Sequence, residues 1–333
     1  MEGVFLSACM KQIPFVKPFM PVEHQAKLLR LRGLQGPEET IVSRLISVGY
    51  YRLSAYWFPF REVEPDGSRN DRIRSGTTID QVWNYYLFDR KLRLLFLDAI
   101  ERIEVALRSR VAHYYSAKFG PFGYINYIKS SSLKQDQITH FVTKNKLRGS
   151  TDFRCKQFDF VQHFIDTYSD DHLPVWMAVH TMELGMIVNI LFSAAPSDIK
   201  KAVASDLGLD QSVSLNWLQC ILSLRNSCAH HARVWNKNWL DKSVRAPSSK
   251  EWFFTYEPNL NKWINQKKRI VPSFVLNRTA AFLMICRILM KKIAPQSKWH
   301  KRIEDLVLNE FSGKIHFKSM GLPENWQKHP FWI

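Results

Sequence analysis

The sequence predicts a mainly α protein, an all-α fold with additional N-terminal and C-terminal helices and irregular insertions. Three observations carry that prediction. Apolar residues recur at three- and four-residue steps over long stretches, as one buried helix face requires. Strict two-residue alternation, the mark of a half-buried strand, is scarce. Hydrophobic residues make up 46% and aromatics 13% of the 333 residues. That composition excludes a disordered chain and supplies one large core or two smaller ones.

Residues 1–80 read as an N-terminal helical and irregular region. Within it Tyr56–Val63 is a short candidate strand, and Glu64–Thr78 (EPDGSRNDRIRSGTT) is a polar, turn-rich loop. Residues 81–310 form the helical core. Leu92, Leu95/Phe96, Ala99, Ile103, Ala106/Leu107 and Val111 keep a helical period, so Trp83–Tyr115 is one long helix. An insertion at residues 119–154 mixes Gly, Ser, Asn and Lys and holds one short helix. Four helices follow: Val175–Phe192, Asp198–Asp206, Leu215–Arg225 and onward, and Phe274–Ile293. Ser212 or Ser214 is the candidate N-cap of the third, and Pro295 ends the fourth. Residues 311–333 are a tail. No long linker separates these parts, so they are expected to form one integrated unit.

The two most apolar stretches, Leu173–Ala194 and Ser273–Met290, are interrupted by His180 and Glu183 and by Arg278 and Arg287. Neither is a clean span of about 20 apolar residues, so both read as buried helices rather than membrane spans. The N-terminal MEGVFLSACMKQIPF lacks a basic n-region and a long apolar run, so no secretory signal is expected in it. Five cysteines (Cys9, Cys155, Cys220, Cys228, Cys286) form no C-x-x-C pair. An odd, irregularly spaced set argues against a disulfide framework and a Cys-rich zinc site. The expectation is a reducing, cytoplasmic setting with no metal and no cofactor.

Charge points to the partner. The chain has 47 Lys/Arg against 30 Asp/Glu, a net +17. Between Lys237 and Arg302 there are 15 Lys/Arg against only Asp241, Glu251 and Glu257, interleaved with Trp239, Trp252, Phe253, Phe254, Tyr256, Trp263 and Trp299. Cations neutralise phosphates and rings stack on unpaired bases, so a nucleic acid is the expected partner; the alternative is a solvated basic face with the aromatics in the core. Arg233, Lys237, Lys267, Lys268 and Arg269 are RNA-contact candidates. Arg52, beside Tyr50 and Tyr51, is another; the alternative there is core packing of Tyr50, Tyr56 and Trp57 with Arg52 paired.

The densest polar cluster is Arg225-Asn226-Ser227-Cys228-Ala229-His230-His231-Ala232-Arg233, followed by Val234-Trp235-Asn236. It extends an apolar helix at the point where apolar residues fail. Arginine forks onto phosphate and histidine moves protons near neutral pH. Those two functions suffice to cleave RNA without a metal. Asn226 and His230, four apart, share a helix face, and Asn226 is placed to fix the imidazole. Arg225 and His230 fall about 140° apart on one helix, so a second element is needed to bring both to one phosphate. Arg108 and His113 repeat the spacing on the long helix, without an Asn after the Arg. His231, Arg108 and His113 are therefore accessory candidates, and a Glu104–Arg108 pair is the structural alternative for the second copy. A phosphate-binding G-x-x-x-x-G-K-[ST] loop, a G-x-S-x-G elbow and an H-E-x-x-H helix are absent from the sequence. Glu101 and Glu104 sit among Arg102, Arg108 and Arg110, which reads as ion pairing rather than metal ligation.

RNSCAHHARVWN resembles the signature of the Abi (abortive infection) family of anti-phage proteins, the AbiD/AbiF-like group. Three further segments fit: Gly49-Tyr50-Tyr51-Arg52-Leu53-Ser54-Ala55-Tyr56-Trp57 with Gln25–Leu29 and Arg32–Leu34 before it, Phe88-Asp89-Arg90-Lys91-Leu92-Arg93 leading to Ile100–Glu104, and Ile293–Trp299. This resemblance implies membership of the wider HEPN group, α-helical bundles carrying Arg-x(4–6)-His, many of which are metal-independent endoribonucleases. It implies that Arg225, Asn226 and His230 are the catalytic set, with dimerisation through the motif helices. It also implies a phage-defence or toxin role, with a noncoding RNA antitoxin as a further partner. Two rival readings remain: a non-catalytic module that holds RNA on its basic surface, and a helix-end network at a homodimer interface.

Overall fold

The computed structural model describes Pro14, Val16 and residues 18–149, 158–247, 254–257, 262–265, 276–323, 325–330, 332 and 333. The chain divides into two compact units, Met1–Tyr86 and Leu87–Ile333. Its elements are mainly helical, as expected, with irregular segments between them.

In the first unit α1 (Val22–Leu31) packs against α2 (Glu38–Val48), and α3 (Tyr50–Trp57) follows directly. The candidate strand at Tyr56–Val63 is corrected: Tyr56 and Trp57 belong to α3, Phe58–Phe60 is a 3₁₀ turn, and only Arg61–Val63 forms β1. The segment expected as loop supplies its partner, β2 (Arg69–Ile73), in an antiparallel hairpin. Most of its side chains face water, so the hairpin has no apolar alternation to betray it. Asp71 receives Arg32 at 2.5 Å and Arg61 at 3.0 Å, tying the hairpin to the end of α1. Gly33 permits this approach: its φ is +104°, and a Cβ there would lie 2.6 Å from the Ile73 carbonyl oxygen.

The helix α4 (Ile79–Phe119) has 41 residues, about 60 Å at 1.5 Å per residue. Val82, Tyr85, Phe88, Leu92, Phe96, Ala99, Ile103, Leu107, Val111 and Tyr115 are buried along it, the helical period read from the sequence. In the second unit the 119–154 insertion holds two helices rather than one, α5 (Gly123–Lys129) and α6 (Gln135–Lys144). Then come α7 (Asp159–Thr167) and α8 (Val175–Thr181). The single helix expected over Val175–Phe192 is broken at Met182–Glu183. It resumes as α9 (Leu184–Met186), which runs into a π-helix at Ile187–Phe192. Apolar residues on both sides of the break hide it from the sequence pattern.

The helices α10 (Ser197–Asp206) and α11 (Ser214–Ala229) follow. Val213, not Ser212 or Ser214, occupies the N-cap of α11, and no side chain caps it; the Ser214 hydroxyl instead donates to the Gln211 carbonyl. A second hairpin pairs β3 (Phe254–Glu257) with β4 (Lys262–Asn265). The helix α12 (Thr279–Ile293) is buried on nearly every side through Met290, as the core of a bundle requires. Finally α13 (Trp299–Asp305) returns to α4, where the Trp299 indole donates to the Leu95 carbonyl at 2.6 Å. No helix among the described residues is long and apolar enough to cross a membrane. Cys220, Cys228 and Cys286 are buried and unbridged.

Candidate active site

The helix α11 buries Trp217, Leu218, Ile221, Leu224 and Cys228, one stripe at three- and four-residue steps. Its other side carries Arg225, which is half-buried, and Asn226, which is exposed. The Arg225 guanidinium donates to the Asn226 amide oxygen at 3.2 Å. That bond replaces the expected one: Asn226 engages the arginine rather than the imidazole.

The helix ends inside the motif, and a Schellman turn ends it. The Ala232 N–H donates to the Ser227 carbonyl at 2.8 Å and the His231 N–H to the Cys228 carbonyl at 3.1 Å. Such a turn needs a left-handed residue. His231 fills that place at φ +56°, where glycine is usual. His230 is the C-cap, exposed, with φ −85° and ψ 11°. Its N–H still donates to the Asn226 carbonyl at 3.0 Å, so the helix still sets its angular place, about 140° from Arg225, and the chain departs only after it.

The chain beyond the turn is held firmly. Asp89 of α4, wholly buried, accepts the N–H of Val234 at 3.0 Å and of Trp235 at 2.5 Å, and pairs with the buried Arg93 one turn along. The Thr279 hydroxyl, at the start of α12, donates to the Val234 carbonyl at 2.6 Å. Asp89, Arg93 and Thr279 were not singled out for any role by the sequence reading. The only signal was the Phe88–Arg93 run, where Asp89 and Arg93 look like an ordinary surface pair four residues apart.

Cations flank the turn. The Lys237 ammonium donates to the Ser227 hydroxyl at 2.8 Å and lies 4.0 Å over the Trp239 ring, and its burial lowers its pKa. Arg233 lies 5.9 Å over the Trp235 ring. Burial pushes the Cys228 thiol up to about 12, so this cysteine is inert at neutral pH.

Arg225, Asn226, His230, His231, Arg233 and Lys237 thus occupy one helix end and its exit. The second copy of the spacing is built differently. Arg108 donates to the carbonyls of Val179 and of Met182 (2.8 Å) and pairs with Glu104. It is the pin that holds the end of α8. His113 is exposed, edge-on to Tyr114 at 5.0 Å. Arg52 belongs to the first unit and is half-buried, next to a Tyr51 that is 92% exposed. Lys267, Lys268 and Arg269 lie outside the described residues. Among the described residues no group of three or more His, Cys, Asp or Glu side chains is gathered to hold a metal ion.

A mainly α-helical protein with an Arg-Asn-x-x-x-His sequence at a helix end is the class these features define. Comparison with known families finds one match, to the model described as Abi-like protein, over residues 43–236. That span exceeds half of the chain, takes in Asp89 and Arg93, and closes on Asn236 of the motif. The chain belongs to the Abi-like family. No curated protein and no solved structure matches it.

Proposed function

We propose that the protein is an anti-phage abortive-infection endoribonuclease of the HEPN type, with Arg225, Asn226 and His230 as its catalytic set. The family and the helical fold agree with the defence role. The observation that carries the catalytic reading is the helix end itself: an exposed His230 at the C-cap, five residues from an Arg225 whose guanidinium, among the described residues, meets a neutral amide.

In this reading the ribose 2′-oxygen attacks the adjacent phosphorus and the bond to the 5′-oxygen breaks. His230 accepts the 2′-hydroxyl proton, and water supplies the proton with which the 5′-oxygen departs. Arg225 stabilises the extra negative charge of the five-coordinate phosphorus. Asn226 orients Arg225. The products carry a 2′,3′-cyclic phosphate and a 5′-hydroxyl. Arg233 and Lys237 bind flanking phosphates. His231 takes its place here as the residue that turns the chain, and Arg108 and His113 stand outside the catalytic set. A homodimer that apposes two motif ends, a cytoplasmic location and an RNA antitoxin belong to the same proposal.

The second reading, an RNA-holding module without turnover, is favoured by the charge of the second unit: 36 Lys/Arg against 21 Asp/Glu. Incubating RNA with wild type and His230→Ala in EDTA separates the two. Cyclic-phosphate ends from wild type alone support the nuclease. RNA retained intact by both, with steep salt dependence, supports the module.

A further inference from the structure

We propose that Asp89 is the positioning residue of the Arg225–His230 motif, fixing the backbone that leaves α11 without itself touching RNA. The proposal rests on the endoribonuclease reading above. Asp89 is fully buried, so its carboxylate has no access to a phosphate. Oδ1 receives two consecutive N–H groups, from Val234 and Trp235, while Oδ2 receives Arg93. The carbonyl of Val234 is held from the opposite side by Thr279. One residue is therefore gripped at both its polar groups, by α4 and by α12.

Only His230, His231, Ala232 and Arg233 lie between the last helical residue, Ala229, and this anchor. His231 is committed to the left-handed turn. With both ends of so short a segment fixed, the backbone of His230 is fixed too. The Cys228 thiol feels the charges of both Asp89 and Arg93, which sets the ion pair against the buried face of the motif. A carboxylate suits two converging N–H donors, and a buried carboxylate in turn requires the buried guanidinium.

Replacing Asp89 alone takes a carboxylate from the buried Arg93 and mixes two effects, so the test uses two double variants of nearly equal shape. Asp89→Asn with Arg93→Met keeps an acceptor oxygen for Val234 and Trp235. Asp89→Leu with Arg93→Met removes it. The leucine variant is expected to lose about 100-fold in kcat, the scale of a misplaced catalytic group, with KM for an oligoribonucleotide changed less than about 3-fold. Its Val234 and Trp235 amides should exchange faster with solvent, and the asparagine variant should restore most of both properties.

The proposal is overturned if the leucine variant turns over like wild type, if it loses only thermal stability, or if both doubles fail equally. Absence of cleavage by wild type would overturn the nuclease reading instead. In that case amide exchange at Val234 and Trp235, with the His230 imidazole resonances, still decides. A shift in the leucine variant that the asparagine variant reverses supports positioning, and unchanged spectra in both overturn it.

Discussion

The chain carries the spacing Arg-x-x-x-x-His twice, at Arg108–His113 and at Arg225–His230, and the two copies have opposite fates. The first lies in mid-helix. Its arginine is spent on two carbonyls and a carboxylate, holding α8 where that helix stops. The second lies where a helix ends. Among the described residues its arginine meets a neighbouring amide, and its histidine stands on an exposed C-cap. Spacing alone does not make a site. A helix interior offers its polar side chains to neighbouring elements, whereas a helix end releases them and fixes them through the turn that follows.

The largest test of this contrast exchanges the two histidines' fates. His230→Ala should lower RNA cleavage by about 10²–10⁴-fold, the usual worth of a proton-transfer group, with thermal stability unchanged. His113→Ala should cleave as wild type; equal losses in both variants would erase the distinction.

The arginines should divide between activity and stability. Arg108 and Glu104 side chains are only 12% and 19% exposed. Arg108→Ala removes one partner of that pair and leaves two carbonyls unfilled, so urea unfolding should show a loss of about 3 kcal/mol. Arg225→Ala should cost less than about 0.5 kcal/mol while reducing cleavage.

Acid sensitivity should arise away from both copies. Burial lowers His329 from 6.5 to about 4, so it is neutral in the fold and protonates more readily when unfolded. Its contribution is fully present above pH 6.5 and is lost as pH falls through about 4, a change of about 3 kcal/mol. His172 and His300 shift the same way, also chiefly through burial. Unfolding followed across this range should slope downward in acid, and His329→Leu should flatten it.

The smallest effect concerns His231. His231→Gly should raise stability by up to about 1 kcal/mol, because glycine accepts the left-handed conformation without cost to a Cβ. Cleavage should persist, since the imidazole is not needed for the turn. Loss of cleavage would bring His231 into the catalytic set.

Much of the fold was legible because helices bury one face. The period from Val82 to Tyr115 gives α4, and those of α10 and α11 are as plain. The break at Met182 was hidden because Arg108, which fills the carbonyls at the end of α8, lies some seventy residues upstream. The hairpin over residues 61–73 was hidden because its strands are short and polar. Arg225, Asn226 and His230 stood out as polar residues interrupting an apolar helix, but their local order did not. Nothing in the residues 226–232 announces a Schellman turn closed by histidine instead of glycine. Asp89 was invisible as a partner, since a buried charge and an exposed one look alike in sequence.

The buried cysteines give the molecule one further property. Cys220 and Cys228 are held near 12 by desolvation, and Cys286 is pushed up as well. At neutral pH about one molecule in 10⁵ carries a thiolate at either of the first two, and the thiolate is the form that alkylating reagents and peroxides attack. Packing that serves only to fill the core around α11 and α12 therefore also shields these sulfurs chemically. The shield lasts as long as the core stays closed, so an oxidant reaches them at the rate at which the fold opens.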